Sequence, residues 1–193
     1  MQSYTLLIIK LSNIDDYLID TVANSVKDAF MNVNVLVSPD VMLPPMSFFD
    51  WKRMQYRSEY IVKWLASIRE RLGADYILGI GDIDAYANGL NFVFGEAYPE
   101  GRAAAVYLRR LHPSFYGEPD NHELFVSRAV KEVIHELGHT FGLPHCSNRL
   151  CVMSFSNSVY EVDSKTEKFC PRCAERLRLN GLYVSPRYVL STS

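Results

Sequence analysis

Two periods of apolar residues alternate along this chain. The run YTLLIIKL at residues 4–11 is apolar almost throughout and short, which predicts a buried strand. Behind it Ile14, Leu18, Val22, Val26 and Ala29 recur every three or four residues. That spacing gathers them on one helix face, with Ser12 as the expected cap. VNVLV at 33–37 predicts a second strand, and Pro44 and Pro45 mark a loop after it. Residues 57–72 return to helical spacing, with Tyr60, Ile61, Trp64, Leu65 and Ile68 on one face. Gly73 stands where a left-handed residue closes a helix. YILGI at 76–80 is a third strand, Asn88-Gly89 a turn before NFVFGEA at 91–97, and AAAVYL at 103–108 a further strand. Strands alternating with helices predict an α/β chain with a mixed sheet and helices packed on it.

The last long helix follows the loop HPSFYGEPDN. Asp120 and Glu123 form a D-x-x-E capping signal, and Leu124, Phe125, Ala129, Val130, Val133, Ile134, Leu137 and Phe141 give the apolar face. Beyond Gly142 the periodicity fades until a short helix signal after Pro171. Little hydrophobic core is expected in that stretch.

Composition narrows the function classes. With 193 residues, 48% of them hydrophobic, the chain can bury one core, so residues 1–193 are read as a single domain. A formal charge of -2 provides no broad basic surface, so neither nucleic acid nor an anionic membrane is an expected partner. No apolar run reaches the length of a membrane span. MQSYTLLIIKLS has no positively charged leader, and the expectation is a cytoplasmic monomer.

Candidate chemistry concentrates in HELGHTFGLPHC, residues 135–146. His135 and His139 lie one helical turn apart on one face, so their imidazoles can converge on one metal ion. Gly142 can end the helix at positive φ, and Pro144 stiffens the return that delivers His145 as a third ligand. Three neutral imidazoles leave a zinc ion its full charge and one position for water. Glu136 points off the ligand row yet stays near the metal, where it can take a proton from water and pass it to a leaving amine. His112 and His122 fall in loop or helix-start positions and are read as solvated.

Four cysteines, Cys146, Cys151, Cys170 and Cys173, all follow this run. Their C-x4-C and C-x2-C spacing suits a closed four-thiolate zinc site. Two disulfides would suit a secreted chain instead, but nothing in the sequence points to secretion. Because Cys146 is bonded to His145, a metal held by the cysteines would also fix the third histidine. Two zinc ions per chain are therefore expected, one catalytic and one structural, with a peptide or protein as substrate. The alternative is a zinc-stabilised binding or scaffold protein with little turnover; Glu136 argues against it, since metal structure alone does not need that carboxylate.

The extended motif His135-Glu136-x-x-His139-x-x-Gly142-x-x-His145 resembles the metzincin clan of zinc metallopeptidases. Its continuation, Cys146-x4-Cys151-x-Met153 and then Cys170-x2-Cys173, is similar to the archaemetzincins, as are NFVFGEA and Glu161-Val162-Asp163. The resemblance implies a mostly parallel, twisted mixed sheet in an upper half, residues 1–142, that includes the active-site helix. It implies a lower half, residues 143–193, with the cysteine zinc site and Met153 in a turn under the catalytic metal. Some metzincins carry a tyrosine ligand two residues after that methionine; here the position is Phe155. The strand at 103–108 matches the place of the edge strand that pairs with substrate in that clan.

Overall fold

The computed structural model describes residues 2–191. Its centre is strand β1 (Tyr4–Lys10), whose alternation explains the architecture. Leu6 and Ile8 point into one core and Ile9 into another, all three fully buried. A strand buried on both faces belongs inside a parallel sheet. β1 pairs in parallel with β2 (Val33–Val41) on one side and β5 (Tyr76–Gly81) on the other. β8 (Ala103–Tyr107) continues the sheet in parallel, and β7 (Gly95–Tyr98) closes it antiparallel, in the order β2-β1-β5-β8-β7. The sheet is thus mixed, as the alternating pattern predicts, and mostly parallel, as the resemblance implies.

The strand at 103–108 is not an edge strand, contrary to expectation. β8 lies between β5 and β7, and the edge is β7. The reason is packing from both faces: Ala103, Ala104, Ala105 and Val106 are fully buried, and three alanines in a row let helices approach each face of the strand.

Helices α1 (Asp16–Ala29) and α3 (His122–Thr140) share one core under the sheet, while α2 (Ser58–Leu72) covers the opposite face. Gly73 closes α2 at φ 69°. Two caps differ from expectation by position. Asp15, not Ser12, caps α1 by accepting from the Tyr17 amide at 3.3 Å; the Ser12 hydroxyl instead accepts from the Asp82 amide at 2.8 Å. Asn121, not Asp120, caps α3, accepting from the Leu124 amide at 3.0 Å. In both cases a side chain one to three residues nearer the first turn reaches the free amides better.

A small second sheet joins β3 (Phe49–Asp50), β4 (Gln55–Arg57) and β6 (Ala85–Tyr86). Its short strands carry no periodic signal. It holds the loop that precedes β7, because Gln55 Nε2 and Arg53 Nη2 both donate to the Asn91 carbonyl at 3.0 Å.

The chain after Gly142 has more core than its faded periodicity suggests. Val152, Met153, Val162, Phe169 and Leu177 have no exposed surface and join the core of α1 and α3. Helices α4 (Val159–Ser164) and α5 (Pro171–Leu179) are short, and their apolar residues are scattered among turns rather than spaced by period. Phe30 docks the segment, with ring centroids 5.0 Å from Phe141 and 5.8 Å from Phe169. Asn32 adds two hydrogen bonds, donating to the Gly181 carbonyl at 2.8 Å and accepting from the Tyr183 amide at 2.9 Å.

Candidate metal centre and cleft

α3 carries His135, Glu136 and His139 toward the underside of β7. His135 Nδ1 is 2.7 Å from the Val152 carbonyl, and His139 Nδ1 is 2.7 Å from the Leu143 carbonyl. A carbonyl only accepts, so both Nδ1 atoms carry the hydrogen and both Nε2 atoms present lone pairs. Those two Nε2 atoms stand 3.1 Å apart. Two lone pairs facing each other at that distance repel unless a cation lies between them.

Gly142, at φ 94°, turns the chain out of α3. The Leu143 amide donates back to the Gly138 carbonyl at 2.9 Å, closing the helix end. His145 then returns, its ring 4.6 Å from that of His139 and 4.9 Å from that of Phe155. One nitrogen from each of the three histidines lies within 4.8 Å of the others. Burial keeps the imidazoles neutral: it pushes His135 well below the usual histidine value, His139 to about 4, and His145 down as well. The donor set, its tautomers and its neutrality all fit zinc.

Glu136 is buried beside this group, and burial raises its carboxyl well above the usual value, with the Glu132 carboxylate adding to the effect. Gly95 of β7 passes directly over it: a methyl at Gly95 would lie 2.6 Å from Glu136 Cγ. Met153, fully buried, packs its sulfur against Gly138 on the opposite side of α3.

The four cysteines form a second group. Their sulfurs lie within 4.8 Å of one another, all are buried, and none forms a disulfide. The Cys170 amide donates to Cys151 Sγ at 3.2 Å and the Asn148 amide to Cys146 Sγ at 3.4 Å. Hydrogen bonds from the Cys173 thiol and neighbouring amides bring Cys151 down to about 5, while Cys173 is raised in turn. Four sulfurs converging in a buried space suit a closed zinc site. The turn that joins the groups is tight, since the Cys146 amide donates to the Met153 carbonyl at 2.9 Å.

A cleft of about 460 Å³ opens onto the histidines between the 87–96 segment and residues 155–157. Its floor holds residues that sequence reasoning did not single out. Lys165 Nζ lies 2.9 Å from Glu132 Oε1, with the two side chains 1% and 4% exposed. No local pattern announces that pair, because its partners are far apart in the chain. Gly95 did leave a signal, as a glycine inside a strand marks a close backbone approach. His112 and His122 stand away from this cleft: His112 stacks on Phe125 with ring centroids 3.9 Å apart and lies 3.5 Å from Asp82, and His122 packs near Tyr17.

Convergent imidazoles beside a buried carboxylate, on a helix beneath a mixed sheet, are the arrangement of a zinc metallopeptidase. The profile of Peptidase family M54 matches residues 1–179. The archaemetzincin of Sulfolobus acidocaldarius is 40% identical over 180 residues, covering 92% of this chain and 98% of the relative. The crystal structure of the archaemetzincin from Methanopyrus kandleri superposes with a TM-score of 0.80 at 36% identity, covering 92% of this chain and 95% of that one. A zinc-dependent peptidase from Methanocorpusculum labreanum gives 0.81 at 30% identity, covering 89% and 99%. The chain belongs to peptidase family M54, the archaemetzincins, and is a zinc metallopeptidase.

Proposed function

We propose that His135, His139 and His145 hold a catalytic zinc, that Glu136 carries the proton, and that Cys146, Cys151, Cys170 and Cys173 hold a second, structural zinc. The observation that carries the reading is the 3.1 Å approach of two Nε2 lone pairs beside a buried carboxylate. A zinc ion there supplies Lewis acidity, which can lower the pKa of water to about 7. Val152 and Leu143 fix the tautomers that keep the ligand nitrogens available. Glu136 would accept the proton of the water on a carboxylate oxygen and then deliver it to the departing amine.

Among the described residues β7 pairs with β8 on one side only, so an extended peptide can add to the sheet at its outer edge and cross the cleft. The scaffold alternative leaves unexplained a carboxylate buried beside a second one, Glu132, with no ligand role. Among the described residues no helix is long and apolar enough to cross a membrane. We place the protein in the cytoplasm as a monomer acting on peptides, with the lower half beginning after Gly142.

Replacing Glu136 by Gln tests the mechanism, because it removes the base and no proposed ligand. Both zinc ions and the fold should remain, and peptide hydrolysis should fall by about two or more orders of magnitude. Turnover that is unchanged with full zinc would refute the role of Glu136.

A further inference from the structure

We infer that Lys165, together with Glu132, is a positioning residue of the histidine site: it locks the His135 ring and the turn at residues 152–154 to one another. The inference rests on the metal-site reading above and extends it beyond the ligands themselves.

Lys165 follows α4 and buries its ammonium against α3, its side chain 1% exposed. Three groups surround that ammonium, and they come from two separate parts of the site. Glu132 Oε1 lies at 2.9 Å, and Glu132 stands three residues before His135 on α3, so the two share a side of the helix. Glu132 Oε1 has no hydrogen bond and depends on this ionic contact. The Ser154 carbonyl accepts from Lys165 at 3.3 Å, two residues after the Val152 carbonyl that receives the His135 Nδ1 hydrogen. His135 Nδ1 itself lies at 3.4 Å from the ammonium. That nitrogen has given its hydrogen to Val152, so it has no lone pair for Lys165, and the contact confines the ring by bulk. Tilting the ring toward Lys165 would have to displace an ammonium that Glu132 and Ser154 hold in place.

Holding the chain together does not account for a buried charge pair here. Such a pair loses solvation on burial, and apolar side chains of similar volume often stabilise a core as well or better. Nor is Lys165 needed to keep α4 on α3. Both Asp163 oxygens grip Arg128 at 2.7 Å, and Lys131 Nζ donates to the Val162 and Asp163 carbonyls at 3.1 and 3.2 Å. Val159 and Val162 are buried beneath them. Of these tethers, Lys165 is the one that touches His135 and Ser154. An ion pair with a carbonyl on the same ammonium fixes distance and direction, which apolar contact does not. Metal ligands need that restraint, because groups behind a histidine ligand set its orientation.

The test reads the metal rather than turnover. Protein that keeps zinc on its cysteines is stripped at the histidines with a mild chelator. It is then titrated with Zn2+ against a chromophoric competitor, and separately with Co2+, whose visible bands report ligand geometry. In Lys165→Met/Glu132→Met both charges leave together, so neither is stranded in the interior. Zinc affinity at the histidines should fall about tenfold or more, and the Co2+ bands should shift, with the far-UV signal unchanged. Lys131→Met cuts a tether between the same two helices without touching His135 or Ser154, and should match wild type in both readings. If the double variant does not fold, Glu132→Gln replaces it; this change keeps the shape but removes the charge, and the Co2+ bands should still move. A folded variant of the pair with wild-type affinity and bands overturns the inference. So does an equal shift in Lys131→Met, which would mark general loosening. Wild-type protein that takes up neither Zn2+ nor Co2+ at the histidines removes the metal-site reading itself.

Discussion

Gly95→Ala should disable the proposed base without touching a ligand. A Cβ at Gly95 would lie 2.6 Å from Glu136 Cγ, 2.8 Å from Glu136 Oε1 and 2.8 Å from the Ala105 carbonyl oxygen. Comfortable carbon contacts are about 3.5–4.0 Å, so something must yield by about 1 Å. β8 cannot, since Ala103 to Val106 are fully buried between helices on both faces. Either Glu136 swings away or β7 lifts from β8. Displacing a catalytic group by about 1 Å costs about a hundredfold in rate. Overpacking at such a contact costs about 1–3 kcal/mol. In a chain of this size each kcal/mol lowers the melting temperature by about 2–4 °C. We would measure kcat/KM on a peptide substrate, zinc content by elemental analysis, and the melting curve by circular dichroism. The expected result is a rate loss near a hundredfold, full zinc and a modest drop in melting temperature. A variant within twofold of wild-type activity would show that β7 does not confine Glu136.

Two further changes address the lower half. Cys170→Ser should release one zinc and lower the melting temperature, read by elemental analysis and thermal unfolding. Structural zinc supplies about 10–16 kcal/mol of apparent folding free energy in small peptides, and the effect here should be smaller because Phe169 and Leu177 anchor the segment independently. Retention of both metals and of the melting temperature would exclude a structural cysteine site. Asp163→Ala should unfold the chain more easily, because Arg128, 1% exposed, is gripped by both Asp163 oxygens at 2.7 Å and would keep only the Leu111 carbonyl. Breaking a buried pair costs about 3–5 kcal/mol, and partial solvent access at Asp163 places this one at the lower end; chemical denaturation that shows no change would contradict the burial argument.

What the sequence reveals of this fold follows from how local each signal is. The five strands of the main sheet and the long helices of the upper half are legible because a face buried against one core imposes a period on its own element, whereas β3, β4 and β6 are too short to show one. The motif on α3 is legible for the same reason, as His135, Glu136 and His139 share a single helix. The edge of the sheet is not: AAAVYL and NFVFGEA both read as strands, and only pairing decides that β7 is outermost. Caps are legible in kind but not in position, since Asp15 and Asn121 compete with nearby polar residues for the same amides. The segment after Gly142 is opaque because Val152, Phe169 and Leu177 reach the core from turns and short helices. Lys165 and Glu132 meet only through the tertiary fold, so an ion pair on the cleft floor has no trace in either local stretch.

The central claim is one open histidine site beside one closed cysteine site, and graded chelation tests it most directly. Protein purified without added metal should contain two zinc ions per chain. A mild chelator enters through the open position among three neutral imidazoles, whereas four thiolates leave no such entry. One zinc and all peptidase activity should therefore leave together, with the far-UV signal nearly unchanged. Added zinc should then restore activity without refolding, and the second zinc should leave only slowly, with denaturant or with a thiol-modifying reagent. Loss of both metals in a single step together with the fold would contradict the division.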